Sequence, residues 1–393
     1  MSAGRIAYVG ADKQVHVVGP QGGAHRQVTY GQGPGALTPW GVPQVRDHSS
    51  WPCWSPDGQW LACFQNIAAP DGDGPAWLTV LEVDGVEERR LTQLPDGLPL
   101  YIQWNAQGRR VAALTQVEDL LELAVCEVEE IGEHRLVEQG VPLFFSWFPD
   151  GRRLLVHTGE REGAKRLVQR AADGGGLDAV FADAPGSFCT PLVMADQVVY
   201  VSPRGRVADL CTANHDGQRN RVLAELEGLV AVVPATGLEM VAFSSAARGS
   251  EALYDGVWLI ATNGREEQQR IYSGPVKAFF WSPDASQILV AAPAKRHPAM
   301  CWRLVDVDTG RVLDLGNFWP SQDQLFYLHF FEQFSQSHPL ISPDGTLLVY
   351  AGHPGPDRTS DDVRSRIYVV DITADEPAPV EIALGDFAVF SPG

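Results

Sequence analysis

The sequence has no run of 18 consecutive apolar residues, which is close to the minimum that a membrane-spanning helix needs. Its N-terminus, Met1-Ser-Ala-Gly-Arg5, also lacks the apolar core of a signal peptide. We therefore expect no insertion into a membrane. The same absences predict a cytoplasmic protein, or a periplasmic or secreted one if a signal peptide has been removed from the chain.

Basic residues are scarce. The chain has 30 Lys and Arg against 49 Asp and Glu, which gives a formal net charge of −19. Nucleic-acid binding needs a basic face that neutralises phosphates, and an anionic membrane surface attracts basic segments. We therefore expect no nucleic-acid partner, and we attribute the negative charge to the solubility of a large protein.

Motifs of common enzymes and metal sites are missing. The sequence contains no Gly-x-Ser-x-Gly, no phosphate-binding loop with Gly-Lys-Ser/Thr, and no His-x-His or His-Glu-x-x-His. The six cysteines are widely scattered without Cys-x-x-Cys, and most have apolar neighbours, which is typical of small buried side chains in a reducing cytosol. The sequence therefore predicts no catalytic residue, no metal site and no cofactor.

A short turn motif is present and recurs. In Trp54-Ser-Pro-Asp-Gly58, proline fixes a φ that suits a type I turn, aspartate can bond nearby backbone, and glycine tolerates positive φ. Apolar residues precede the motif, and the bulky run Gln59–Phe64 follows it. This pattern predicts a tight turn between two paired strands.

Copies of the motif extend to the C-terminus at intervals of roughly 40–50 residues, a period typical of propellers and solenoids. The other copies begin at Trp104, Trp147, Trp281 and Ile341, with degenerate copies near Val193 and Val233 and a final Phe390-Ser-Pro-Gly393.

The repeated aromatic-Ser-Pro-Asp-Gly turn, followed by an apolar strand, resembles the repeat of TolB-type β-propellers over essentially the whole chain. The same repeat occurs in the propeller domains of prolyl oligopeptidase-family enzymes, but no residues remain here for a hydrolase domain. The resemblance implies a propeller fold. It also implies roles such as a protein-interaction platform, a gate over a peptidase site or a scaffold.

The fold predicted is all-β: one domain over residues 1–393, forming a single closed propeller of eight four-stranded blades. Seven blades is the alternative, if the degenerate copies near 193 and 233 belong to one irregular blade. No apolar strand with a motif turn precedes the strands of residues 5–30. We therefore expect Asp386–Phe390 to supply the innermost strand of the first blade, so that the C-terminal strand closes the ring.

Connections between strands differ at the two ends of the predicted blades. The motif turns and the third turns are tight and lie at one end, the motif-turn face. The longer connections fall at the other end, the long-loop face: 31–50, 65–76, 159–165, 244–256, 292–299, 317–337 and 351–365. Because binding residues concentrate on loops carried by a rigid scaffold, we expect a partner to bind at the long-loop face.

The most distinctive stretch is residues 317–338, the central segment, which contains seven aromatic residues among polar ones. One hypothesis makes it a binding hot spot. The alternative is a plug, with the aromatic side chains buried over the central channel and with Glu332 and Gln333 bonding backbone groups. The candidate binding residues are Trp319, Tyr327, His329, Phe331, Glu332, Gln333, His338 and His353.

Three functions are compatible with these observations. The first is a non-catalytic, monomeric binding or scaffold propeller with a protein or peptide partner. The second is a propeller hydrolase, cyclase or lactonase with its site at the channel mouth. The third is a regulatory partner of a separate peptidase chain. The missing catalytic motifs favour the first function.

Overall fold

The computed structural model describes residues 3–393 with internal gaps. In the described residues the chain forms 30 strands and two short helices, which confirms the all-β class. None of these helices is long and apolar enough to cross a membrane. The internal gaps are 32–46, 68–74, 86, 96, 161–162, 164, 176–178, 184–188, 206, 247–252, 296–298 and 356–363.

The chain begins with three antiparallel strands and continues into five separate sheets. The first three strands are β1 (Ile6–Gly10), β2 (Val15–Val18) and β3 (Arg26–Gln27). Each of the five sheets takes four consecutive strands in up-and-down order. They comprise β4 (His48–Trp54), β5 (Trp60–Asn66), β6 (Ala76–Glu82), β7 (Glu88–Gln93); β8 (Leu98–Trp104), β9 (Arg110–Val117), β10 (Leu120–Glu127), β11 (Arg135–Gly140); β12 (Leu143–Trp147), β13 (Arg153–Gly159), β14 (Lys165–Ala171), β15 (Ala179–Asp183); β16 (Leu192–Val193), β17 (Gln197–Arg204), β18 (Val207–Asn214), β19 (Arg221–Glu227); β20 (Val230–Pro234), β21 (Met240–Ser245), β22 (Tyr254–Ala261) and β23 (Gln269–Val276).

The remaining strands join the first three in one ten-stranded sheet. They are β24 (Ala278–Trp281), β25 (Gln287–Pro293), β26 (Met300–Asp306), β27 (Val312–Pro320), β28 (Leu347–Pro354), β29 (Arg366–Asp371) and β30 (Pro379–Phe390), with the helices α1 (Gln322–His329) and α2 (Phe331–Phe334) between β27 and β28. The first half of β30 pairs with β29 and its second half pairs with β1, so that Ile6 lies opposite Phe390. The two ends of the chain therefore lie side by side.

The last repeat departs from the four-stranded pattern. Its expected innermost strand, next to β28, is reduced to a single bridge between Ile341 and Leu348. The end of β27 instead pairs with the end of β28, with Trp319 opposite His353. Since the chain between these strands forms α1 and α2, few residues remain to build a full inner strand.

The motif turns are built by their own side chains. The Ser55 hydroxyl donates to Asp57 Oδ1 at 2.6 Å and accepts the Trp60 N–H at 2.9 Å. The copies at Ser282 and Ser342 repeat both bonds. The motif is therefore explained by turn geometry and needs no catalytic role.

Motif tryptophans also link neighbouring sheets. The Trp104 indole Nε1 donates to the Cys53 carbonyl oxygen of the preceding sheet at 3.0 Å. Trp281 makes the equivalent bond to the Val233 carbonyl oxygen, also at 3.0 Å. These bonds join the innermost strands of consecutive sheets.

One motif copy carries alanine where the others carry glycine, at Ala285 with φ of 56°. We expect Ala285→Gly to increase the free energy of unfolding by about 0.5 kcal/mol, because relief of the left-handed strain exceeds the entropy that glycine adds to the unfolded chain. The matched change is Gly345→Ala, at φ of 76° with no heavy atom within 4 Å of the new Cβ. It should lower the free energy of unfolding by about 1 kcal/mol. Urea unfolding measures both changes, and equal signs would contradict this account.

Candidate binding site

The central segment enters from the end of β27. Ser321 caps α1, and its hydroxyl accepts the Gln324 N–H at 3.0 Å. The chain then turns at Phe330 into α2 and continues to His338. The segment is thus a compact helical insertion between two strands.

The aromatic side chains of this segment pack against the innermost strands of several sheets. Phe334 contacts Trp51 of β4 and Tyr101 of β8, each with ring centroids 5.0 Å apart. Phe331 contacts Phe279 of β24, also at 5.0 Å. The helices therefore lie where these inner strands converge.

Polar side chains of α2 bond the free backbone groups of those strands. Gln333 accepts the Phe145 N–H at 3.0 Å and donates to the Phe145 carbonyl oxygen at 2.8 Å. Glu332 accepts the Val232 N–H at 2.8 Å. These bonds satisfy edge groups of β12 and β20 that would otherwise be buried without partners. This is the arrangement that the plug alternative describes.

The candidate residues named from the sequence occupy three environments. His329 is exposed and Trp319 is half-buried. His353 is buried opposite Trp319 on β28, apart from the helices. The five other candidates are buried and lie in or directly after the two helices: Tyr327, Phe331, Glu332, Gln333 and His338. Within the residues that the structure describes, no group of three His, Cys, Asp or Glu side chains could hold a metal ion.

Burial shifts the pKa of two ionisable side chains of the segment toward the neutral form. Loss of solvent raises the pKa of the Glu332 carboxyl well above its ordinary value. The same effect lowers the pKa of His338 to about 3. Burial therefore favours the neutral form of both side chains.

A cavity of 570 Å³ lies between the central segment and the motif-turn face, and we call it the axial cavity. Its walls carry the motif tryptophans Trp54, Trp104 and Trp147, and Ser335–Ser337 line it from the segment. Its lining also includes the motif-turn residues Pro56, Ala106, Pro149 and Thr236, so it lies at that face. This volume falls within the range of small-ligand sites.

Several polar atoms in the lining residues of the axial cavity are buried without a hydrogen-bond partner. They are Trp54 Nε1, Trp147 Nε1, Gln103 Oε1 and Gln336 Nε2. Gln103 is 8% exposed, and Trp54 and Trp147 are less exposed still. A buried polar group without a partner costs free energy.

No Asp, Glu, His, Lys or Arg lines the axial cavity in the described part of the chain. Burial raises the pKa of the Cys53 thiol to about 12, so this side chain is not a thiolate at neutral pH. The Ser146 hydroxyl bonds Gln336. The Ser337 hydroxyl of the lining bonds His338 Nδ1 at 2.7 Å, but burial lowers the pKa of that imidazole to about 3, so it is a weak base. The cavity can therefore accept and donate hydrogen bonds, and its described lining carries no charged side chain.

Sequence reasoning placed the site at the long-loop face and missed this cavity. Of the long connections assigned to that face, only 317–337 lies wholly within the described residues. A pattern that could have identified the cavity is the tryptophan at the first position of three consecutive motif copies, Trp54, Trp104 and Trp147. Because each ends an innermost strand, the three must converge at one end of the axis.

No family model and no curated protein matches the sequence. Solved structures do match its fold. A prolyl endopeptidase is 12% identical with a TM-score of 0.54, over 95% of this chain and 54% of its own. An oligogalacturonate lyase from Vibrio parahaemolyticus is 14% identical with a TM-score of 0.52, over 96% of this chain and 98% of its own. The β-propeller domain of the Trilobed protease from Pyrococcus furiosus is 11% identical with a TM-score of 0.50, over 86% of this chain and 98% of its own.

TolB from Acinetobacter baumannii also matches, with 12% identity and a TM-score of 0.42 over 79% of this chain and 63% of its own. The chain thus spans about half the length of the prolyl endopeptidase and less than two thirds of this TolB. The fold is a β-propeller, as the sequence resemblance indicates. Identities at this level concern the fold alone.

Proposed function

We propose that this protein is a non-catalytic β-propeller that binds an uncharged part of a peptide or protein ligand in the axial cavity. The observation that carries the proposal is the 570 Å³ axial cavity itself, with tryptophan and proline walls and uncharged polar side chains in its lining. Aromatic-lined sites suit proline-rich and apolar segments, because such segments lose little entropy on binding. The uncharged lining, together with the lowered pKa of His338 beside Ser337, favours binding over catalysis.

We further propose that residues 1–393 form one domain, a ring of eight blades in which the end of β30 completes the first blade. Support comes from the five separate four-stranded sheets, together with β24–β27, β28–β30 and the set of β1–β3 with the end of β30. The strands β16–β19 and β20–β23 form two sheets, which favours eight blades over seven. We also propose that the protein is a monomer and that the long-loop face is a second contact surface.

Intrinsic tryptophan fluorescence tests the proposal, because three indoles line the axial cavity. The probes are N-acetylated, C-amidated hexapeptides with proline or an aromatic residue at the first two positions. We expect members of this panel to shift the emission with dissociation constants below 1 mM, an affinity of about 4 kcal/mol. The proposal fails if no member of the panel changes the emission.

The Gln103→Leu variant should weaken that binding about tenfold, because a buried hydrogen bond to the ligand is lost. The control is Gln116→Leu at an exposed position of β9, in the same sheet as Gln103 but outside the cavity lining. The control should bind as the unmodified protein does. Equal loss in both variants would contradict a role for the axial cavity.

A further inference from the structure

A groove leads away from the axial cavity along the motif-turn face. A middle pocket of 370 Å³ shares Val193, Pro234 and Thr236 with the lining of the axial cavity. An outer pocket of 320 Å³ shares Asp196, Gln197 and Glu239 with the middle pocket. The three spaces therefore adjoin one another in a line, and the outer two lie between the sheets β16–β19 and β20–β23.

The groove lies at the two degenerate motif copies. The Ala235 N–H bonds the Met240 carbonyl oxygen just as the Ser55 N–H bonds that of Trp60, so Pro234 occupies a tryptophan position. In the other degenerate copy, β16 is only two residues long. Elsewhere a motif indole reaches across to the preceding sheet, as Trp104 does. At this position Pro234 offers no indole to reach across to the preceding sheet.

The chemistry of the groove changes from its inner to its outer end. The axial cavity is aromatic and uncharged, whereas Asp196 and Glu239 line the middle. The outer pocket adds the guanidinium groups of Arg219, Arg221 and Arg265. Arg221 bonds the Asn263 carbonyl oxygen. Arg219 and Arg265 are exposed, and no ion pair within the described residues engages either of them.

We propose that this groove binds an extended peptide whose C-terminal carboxylate lies at Arg219 and Arg265. This inference rests on the proposed function, since the other end of the peptide places an apolar side chain in the axial cavity. The carboxylates of Asp196 and Glu239 are placed to accept peptide N–H groups. The amides of Gln197, Asn214 and Asn263 can bond its backbone.

Arginine at the outer end favours a carboxylate, because the planar guanidinium donates two parallel hydrogen bonds to it. The outer pocket has three arginines against the carboxylates of Asp196 and Glu239, so its lining is formally positive on a chain with a net charge of −19. An anionic ligand end is therefore attracted at this point and repelled by much of the surrounding surface. This charge pattern also fixes the direction of the peptide in the groove.

The test uses the same hexapeptide panel, with each member made both as the free acid and as the C-terminal amide. Calorimetry should give binding about tenfold tighter for the acid at low salt, because a charge-assisted hydrogen bond is gained. In the double variant Arg219→Gln with Arg265→Gln, that difference should vanish while the affinity of the amide stays unchanged.

The control is the double variant Arg109→Gln with Arg152→Gln, which removes the same charge from exposed motif-turn positions outside the groove. It should retain the preference for the acid. Equal affinity of acid and amide for the unmodified protein would overturn the inference and leave the axial site standing. Loss of the preference in both double variants would also overturn it, since long-range charge would then explain the effect. Failure of every peptide to bind would overturn both proposals.

Discussion

Replacing Phe331 by alanine should lower the free energy of unfolding by about 3–5 kcal/mol, the range typical of a buried phenylalanine. Phe331 is 1% exposed and lies against Phe279, Phe280 and Tyr254. Removing its ring leaves a cavity where the inner strands converge, and packed strands cannot collapse far to fill it. Urea unfolding followed by far-UV circular dichroism measures the loss.

The neighbouring Phe330 is the matched control. It is 37% exposed and begins the turn between the two helices. Phe330→Ala should cost less than about 1 kcal/mol, as most surface substitutions do. If Phe331→Ala lowered the free energy of unfolding as little as Phe330→Ala does, the central segment would not be part of the core. The hot-spot hypothesis for its aromatic side chains would then regain support.

The stability of the protein should decline with rising pH because of Glu332. Burial raises the pKa of its carboxyl, so the folded state holds a proton that the unfolded state loses above about pH 4.5. Stability due to this group is therefore complete below that pH and is lost as the pH rises toward the folded pKa, by up to about 1.4 kcal/mol per pH unit. Glu332→Gln keeps an acceptor for the Val232 N–H and removes the titration. The free energy of unfolding of this variant should change less between pH 5 and pH 8 than that of the unmodified protein.

Two buried histidines should make the free energy of unfolding decline at acid pH, and this decline is an internal control. Burial lowers the pKa of His338 to about 3. The contribution of this group to the free energy of unfolding is therefore present above the ordinary histidine pKa of about 6.5 and is lost as the pH falls toward 3. His157, also buried, has its pKa lowered to about 4 and adds to the same decline. The decline of the free energy of unfolding at acid pH should be the same in Glu332→Gln and in the unmodified protein. A change confined to the acid side would contradict the assignment to Glu332.

Local sequence rules account for most of the fold. The motif Trp54–Gly58 contains the side chains that accept the hydrogen bonds of its own turn, so each copy predicts two paired strands without reference to the rest of the chain. The pairing of β30 with β1 follows from an apolar strand without a partner at each end. The reduced inner strand beside β28 could not be foreseen, because it depends on how much chain the helices α1 and α2 consume.

The candidate site was harder to predict, because it arises from contacts between distant repeats. The composition of the central segment identified it as unusual, and the plug alternative anticipated the bonds of Glu332 and Gln333. The axial cavity depends on Trp54 and Trp147, which are far apart in sequence. In the sequence, the degenerate copy near Val233 is only weak evidence for a strand. In the structure, the tryptophan side chain missing from this copy leaves the groove open.

The pairing of β1 with the end of β30 affects how the protein is made. β1 leaves the ribosome long before its inner partner, the second half of β30, because nearly the whole described chain lies between the two strands. At about 5–20 residues per second, roughly 20–80 s pass between the two events. During this delay the inner hydrogen-bonding edge of β1 has no native neighbour. A newly synthesised chain is therefore open to mispairing at the inner edge of β1, which makes that strand a place where a chaperone would be of use.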